Sequence, residues 1–330
     1  MSSTARIGVV LGGGGLTGTA FHAGVLTALA EAVGWDARSA DVLVGTSAGS
    51  TAAALMRTGF PPEDYVPRVA GQPMSAQGEA ILGTAPQLRA PAPAARAGHR
   101  PASPEMLRAA ARRPWRYRPG VLASGVLPEG RRDVTATAAL FASLFDAWPT
   151  DPLWVCTVRL RDGARVVFGR DRLAPVADAV SASCAVPGYF APVTIDGERY
   201  VDGGAYSLTS LDVVADLELD LVLVSAPMGS TETVAPDIGN ALRVPARAKL
   251  AREASHVRGR GTRVLAIQPD RRLRAVMGTN TMSAAKRRPV ALATREYAAA
   301  VLREEWPFRP PRSAATPRPP TGGPRPQRSH

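Results

Sequence analysis

The stretch that most constrains this chain lies near its start, where Arg6 to Leu11 (RIGVVL) runs straight into Gly12-Gly13-Gly14-Gly15-Leu16-Thr17-Gly18. A short apolar, β-branched run ending in glycine reads as a buried strand. From Thr17 to Val33 the residues Ala20, Phe21, Val25, Leu26, Leu29, Ala30 and Val33 recur at helical spacing. A strand passing into a helix through four successive glycines gathers backbone N–H groups and the positive helix end at one point, which suits an anion. A tight turn with close helix–sheet packing accounts for one or two such glycines, not for four in a row.

The same alternation continues downstream. Strand candidates are Val42 to Val44, Trp154 to Leu160, Arg165 to Phe168, Leu221 to Ser225 and Val264 to Ile267. Helices are expected over Ser47 to Arg57, Val176 to Ser183, Pro245 to Val257 and Ala284 to Leu302. Continuous apolar strands between helices predict an α/β architecture with a largely parallel, covered sheet. With 45% hydrophobic and 21% charged residues over 330 positions, the chain can build a sizeable core. Its apolar stretches fall short of the ~20 residues of a membrane span, and its start lacks the pattern of a signal peptide. Cys156 and Cys184 cannot make a disulfide framework, so a reducing cytoplasm is the expected setting. Four scattered histidines predict no metal site.

Charge is concentrated. Residues 87–120 hold eight arginines and one acid, and residues 307–330 hold five arginines and no acid, which accounts for the whole net charge of +12. With the remainder neutral, no basic motif sits on a structured element, and nucleic-acid binding is not expected. Eight prolines in residues 307–330 predict a disordered tail. Residues 87–120, interrupted by six prolines, are expected to form an insertion or lid with one short helix from Pro104 to Arg113. The organisation is then one domain over 1–306 carrying that insertion, followed by the tail. Trp115, Tyr117, Trp306 and Phe308 stand among these arginines, a composition suited to peripheral contact with an anionic membrane surface.

Gly13, Gly15 and Gly18 match the G-x-G-x-x-G dinucleotide fingerprint in its proper strand–loop–helix setting. A nucleotide-binding enzyme of Rossmann type would also place an acid at the end of the second strand. Here that strand ends in Gly45-Thr46-Ser47-Ala48-Gly49. A G-x-S-x-G element between strand and helix exposes a serine hydroxyl on a sharp turn whose small neighbours avoid clashes. The competing role for Ser47 is a plain helix N-cap. A nucleophilic serine needs a base. His22 falls inside the first helix, His99 in the Pro/Arg insertion and His330 at the end of the tail, which leaves His256 after a late helix. A carboxylate alternative is Asp202 in Tyr200-Val201-Asp202-Gly203-Gly204, where Asp-Gly also reads as an ordinary turn.

The order of GGGGLTG, GTSAG and SASCAVPGYFAPVTIDGERYVDGG resembles a patatin-like phospholipase domain over about Arg6 to Gly204. The resemblance implies a three-layer α/β/α acyl hydrolase that works with a Ser–Asp dyad and no cofactor or metal. Ser47 would be the nucleophile and Asp202 the base. The N–H groups of Gly13, Gly14 and Gly15 would form the oxyanion hole, with Gly18, Gly45, Gly49, Gly203 and Gly204 shaping the turns. The substrate would be a lipid, with a fatty-acyl ester of a phospholipid or lysophospholipid as the bond cleaved. Family members usually carry Arg or Lys where Thr17 stands, and the first helix is one residue longer before Gly24-Val25-Leu26 than in the commonest members. A catalytically silent, lipid-binding member of the same fold is the other possibility this resemblance holds open.

Overall fold

Along β1 (Ile7–Leu11) the side chains of Val9 and Leu11 enter one buried cluster and Val10 enters another. The alternation repeats through β2 (Val42–Thr46), β3 (Leu153–Arg159), β7 (Leu221–Ser225) and β8 (Arg263–Ile267). Leu43, Leu153, Leu223 and Ile267 face one side, and Val44, Cys156, Val224 and Ala266 the other. A strand with period-2 side chains reads as continuously apolar only when both faces are covered. That is why these segments carry no polar alternation. The computed structural model describes residues 5–83, 85, 100–233 and 243–308.

These five strands form a parallel ladder in the order β3-β2-β1-β7-β8. At its β3 end the sheet turns antiparallel: β4 (Arg165–Phe168) and β6 (Glu198–Asp202) both run against β3, and β5 (Val193–Ile195) pairs with β6. One face is covered by a thick layer built on α1 (Gly15–Val33), α2 (Ala48–Arg57), α8 (Val176–Ser183) and α11 (Arg287–Glu305), with α3 (Tyr65–Ala70), α4 (Ala76–Leu82), α7 (Thr135–Ala142) and α10 (Arg271–Met277) around them. The other face is covered by α9 (Arg243–Gly259) through Leu250, Ala254 and Val257, with the Leu211–Val214 turn beside it. The result is the three-layer α/β/α arrangement with a mostly parallel sheet.

Helix α1 is 19 residues long and apolar enough, by length and composition, to cross a bilayer, which the residue pattern alone did not suggest. In the fold 78% of its most apolar window is buried, so its hydrophobicity belongs to the core. Short elements also depart from expectation. A helix does form at Pro104, as α5 (Pro104–Arg112), and a second, α6 (Pro119–Val126), follows it. Both begin on a proline, because the first helical position needs no N–H donor and favours the fixed φ of the ring. Residues that read as helix breakers are helix starts here. Residues 86–99 and 309–330, which hold much of the basic insertion and nearly all of the tail, lie outside the described residues.

The turn after β2 depends on close backbone approach. A Cβ on Gly49 would overlap the carbonyl oxygen of Leu11 at the end of β1. By contrast a Cβ on Gly259 meets nothing within 4 Å. Gly49→Ala should therefore destabilise the fold by more than ~3 kcal/mol or abolish soluble expression. Gly259→Ala should be neutral or stabilising by up to ~1 kcal/mol. Thermal melts of the two variants check this contrast.

Candidate active site

Ser47 occupies the single residue between β2 and α2, with φ 52° and ψ −124°. Positive φ in a residue other than glycine costs on the order of 1–3 kcal/mol and persists only where the surroundings enforce it. The surroundings are explicit. The Ser47 N–H donates to Ser183 Oγ (2.9 Å), and Ser183 Oγ donates to the Cys156 carbonyl (2.7 Å). The Ser47 carbonyl accepts from the Ser50 N–H (2.8 Å) and hydroxyl (2.7 Å). The Ser47 hydroxyl makes no capping bond to α2, so the N-cap role is not the one it plays.

Strand β3 brings Asp202 to this serine. Thr46 at the end of β2 pairs with Cys156, and Asp202 at the end of β6 pairs with Thr157. Since β4 pairs with both Cys156 and Thr157 on one edge of β3, β2 and β6 share the other edge. One runs parallel and the other antiparallel to β3, so their C-terminal ends meet head to head. The Ser47 hydroxyl lies close enough to the Asp202 carboxylate there to favour its ionised form. Both residues are buried. Asp202 is further fixed by its N–H, which donates to the Ala185 carbonyl (3.0 Å), and by Oδ1, which accepts from the Gly204 N–H (2.7 Å). Burial raises its pKa to about 6, with the bonds from Ser47 and Gly204 opposing that rise. Neighbouring Cys184 is pushed up to about 12, chiefly by burial and then by the Asp202 charge, so its thiol stays protonated.

The glycine loop faces the serine: a Cβ on Gly13 would stand 3.4 Å from Ser47 Cβ. Not all its N–H groups are available. The Gly12 N–H donates to the Ser225 carbonyl (2.9 Å) and the Gly13 N–H to the Leu208 carbonyl (2.8 Å). Gly13 therefore departs from the expected trio of donors, because its N–H closes a backbone link to the segment after Asp202. The N–H groups of Gly14 and Gly15 make no comparable backbone link among the described residues. At Thr17, the position where a cation is usual, the side chain is buried, its N–H donates to the Thr281 carbonyl (3.0 Å) and its hydroxyl to the Gly14 carbonyl (3.4 Å). The Thr281 carbonyl and Met282 Sδ also crowd Gly15. Residues 281–282 thus pack against the start of α1. With β2 followed by Ser47 rather than an acid, the dinucleotide alternative lacks the carboxylate that would hold the ribose.

Two buried side chains that sequence reading gave no role hold this loop. His22 Nε2 contacts the Gly12 carbonyl at 2.6 Å, and Nδ1 contacts Ser225 Oγ at 2.8 Å. A carbonyl can only accept, so Nε2 carries the proton and Nδ1 accepts from the serine hydroxyl. Glu253, 2% exposed, accepts from Ser207 Oγ (2.7 Å), Thr209 Oγ1 (2.6 Å) and the Leu211 N–H (3.1 Å), and pairs with Lys249 (3.0 Å). It thereby fixes the segment whose Leu208 carbonyl holds Gly13. The only available signal was a polar residue on an otherwise apolar helical stripe, at His22 beside Phe21 and Val25. For Glu253 and Ser183 there was none. His256 is exposed in the last turn of α9, and His99 and His330 lie outside the described residues. Among the described residues no cluster of three or more His, Cys, Asp or Glu side chains converges as a metal site.

A strained serine between a parallel strand and a helix, facing a glycine loop and a buried carboxylate, defines an elbow-type site on an α/β/α fold. The model of the patatin-like phospholipase family matches residues 9–214, and the chain belongs to that family. Membership places it among lipid acyl hydrolases. Among solved structures, the crystal structure of VipD from Legionella pneumophila matches with a TM-score of 0.41 and 15% identity, covering 91% of this chain and 67% of that one.

His22 generates a pH prediction. Complete burial lowers its pKa to about 4, against 6.5 for an unperturbed imidazole, with the Gly12 bond opposing the shift. The unfolded chain thus binds the proton first as pH falls. The contribution of this neutral histidine is intact above pH 6.5 and is lost between there and pH 4, by on the order of 3 kcal/mol in total. His22→Gln should lose stability at neutral pH but show a flatter decline over that interval. Urea melts of both proteins from pH 7 to 4 measure it.

Proposed function

We propose that this protein cleaves fatty-acyl ester bonds of phospholipids or lysophospholipids through an acyl-enzyme on Ser47, with Asp202 as the only general base. The observation that carries this reading is the convergence of the Ser47 hydroxyl and the Asp202 carboxylate at the meeting ends of β2 and β6. In the ionised state Asp202 accepts the hydroxyl proton as Ser47 Oγ attacks the ester carbonyl. The carbonyl oxygen gains negative charge beside the glycine loop, and the Gly14 and Gly15 N–H groups, engaged in no loop backbone bond among the described residues, stabilise it. Asp202 then gives the proton to the leaving alcohol, leaving the acyl group on Ser47. Water gives a proton to the same carboxylate as it attacks the acyl-enzyme, and Asp202 returns that proton to Ser47 Oγ as the fatty acid leaves. A base with a pKa near 6 is stronger than an ordinary aspartate yet still ionised at neutral pH.

A fluorophosphonate probe followed by peptide mass mapping is the direct test. Labelling of the wild type at Ser47, lost in Ser47→Ala, is expected alongside loss of ester hydrolysis. Failure of the folded wild type to label at all would favour a catalytically silent lipid-binding protein. Labelling that persists in Ser47→Ala would place the nucleophile elsewhere. A lipid panel with mass-spectrometric product identification assigns head group and acyl position.

Asp202 gives a pH signature of defined sign. Its carboxylate must be ionised to take the proton, so kcat/KM should fall as pH drops through about 6. Asp202→Asn should lower turnover by about 10²–10⁴-fold and abolish that acid limb. Because the native pKa is raised, the folded state holds the proton more tightly, so ionised Asp202 costs stability above pH 6. The Asn variant should therefore melt no lower than the wild type at pH 8. His256→Gln, on an exposed helix end, should turn over at the wild-type rate.

A further inference from the structure

Helices α5 and α6 form a cap whose inner face is filled. Met106 and Val121 pack with Val158, Leu160 and Val201 of the sheet region. Its outer face is unusual. Trp115, in the turn between the two helices, is 80% exposed, and Arg112, Arg113 and Arg116 around it are exposed too. From Pro104 to Arg118 five arginines face one acid, Glu105. Where α6 ends, Val126 is 56% and Leu127 42% exposed. The side chain of Leu127 lies over Gly188, within 3.5 Å of where a Cβ there would stand, and exposed Val186 closes the same small turn through its carbonyl, which accepts from Tyr189.

This cap is fastened to the segment that follows Asp202. Gly120 of α6 packs directly against the Ala205 carbonyl. The Arg118 guanidinium stands 3.8 Å over the Tyr206 ring and donates to the Tyr206 carbonyl (3.3 Å). On the other side, Val186 follows Ala185, whose carbonyl holds the Asp202 N–H. The exposed indole, the aliphatic rim and the arginines are therefore carried on segments in direct contact with the residues flanking Asp202.

We infer that the exposed surface of this cap, with Trp115, Arg112, Arg113 and Arg116 at one end of the two helices and the Val126–Leu127–Val186 rim at the other, seats the protein against an anionic lipid bilayer. The inference rests on the proposed lipid hydrolysis for its purpose, though not for its evidence. An indole among guanidinium groups fits the boundary between head groups and acyl chains, where the ring sits in the interface and the cations meet lipid phosphates. Aliphatic side chains grouped at a rim gain by insertion below the head groups. A polyanion such as nucleic acid would use the arginines and leave Val126, Leu127 and Val186 without a partner.

The test uses full-length Ser47→Ala protein, so that lipid turnover cannot alter the vesicles, sedimented with large vesicles of phosphatidylcholine with and without phosphatidylglycerol. Binding is expected to the anionic vesicles and to weaken as salt rises, since the attraction is screened over ~10 Å. Trp115→Ala and Leu127→Ser added to that background should each lower the partition coefficient about tenfold. Arg112→Gln with Arg113→Gln and Arg116→Gln should remove most of the salt dependence. All these side chains are exposed, so near-UV circular dichroism and melting temperature should match the parent, which separates lost docking from lost folding. Anionic-vesicle binding by a Trp115→Ala, Leu127→Ser double variant equal to the parent at every salt concentration would overturn the inference. So would an effect of these variants on heparin retention with none on vesicles, which would mark a surface for acidic polymers. Vesicle binding that depends on Trp115 and Leu127, in a protein whose wild type cleaves no lipid, would instead sink the proposed hydrolysis and leave the docking surface standing.

Discussion

One edge of β3 carries two strands, and the site depends on that sharing. The Thr46–Cys156 and Asp202–Thr157 pairs are consecutive along β3, so the parallel β2 and the antiparallel β6 end against each other. Hydrogen-bond registry sets positions along a strand in fixed steps, and a one-residue slip turns every side chain to the other face. The serine and the carboxylate are thus held by backbone ladders rather than by flexible side-chain reach. Where the ladders end, side chains take over. Ser183 bridges the Ser47 N–H to the Cys156 carbonyl, and the glycine after Asp202 lets the chain pass against that same carbonyl.

Around this junction the fold spends polar groups in places where apolar ones would pack more simply. His22 and Glu253 are buried, and both are occupied by contacts that fix the glycine loop from below and from the side. Each satisfied group contributes modestly, but leaving a partner unsatisfied costs the full desolvation of that partner. Such networks specify one arrangement more than they add stability. The strained Ser47 backbone needs this, because a positive φ relaxes wherever its surroundings give way.

Burial supplies the chemistry that composition does not. Asp202 sits in a pocket that lifts its pKa above that of an aspartate in water, next to a hydroxyl that favours its ionised form. The protonated thiol of Cys184 stands by without competing, because burial and the Asp202 charge both hold its proton on. The chain belongs to the patatin-like family, and the cap built on α5 and α6 adds a basic, partly apolar exposed surface beside the segment that follows Asp202.

Local physics made much of this legible from residues alone. Period-2 and period-3.6 patterns located β1, β2, β7, β8, α1, α2, α8 and α11 to within a few residues, since burial on a strand or helix is written in nearest-neighbour spacing. The G-x-S-x-G elbow was legible for a steric reason, now visible where Gly49 meets the Leu11 carbonyl. Asp202 was singled out by its Asp-Gly-Gly context and by family resemblance, not by any periodicity. Short elements escaped: α3, α4, α6, α7 and α10 span too few turns to show a stripe, and Pro119 opens a helix it was expected to prevent. What the chain order alone determined is the set of elements and the glycine turns between them. Tertiary structure alone decided that Ser47 and Asp202 meet, that the Gly13 N–H is committed to Leu208, and that His22 and Glu253 brace the loop. Those relations depend on the register of distant strands and on which buried groups find each other, and neither is encoded within any one segment.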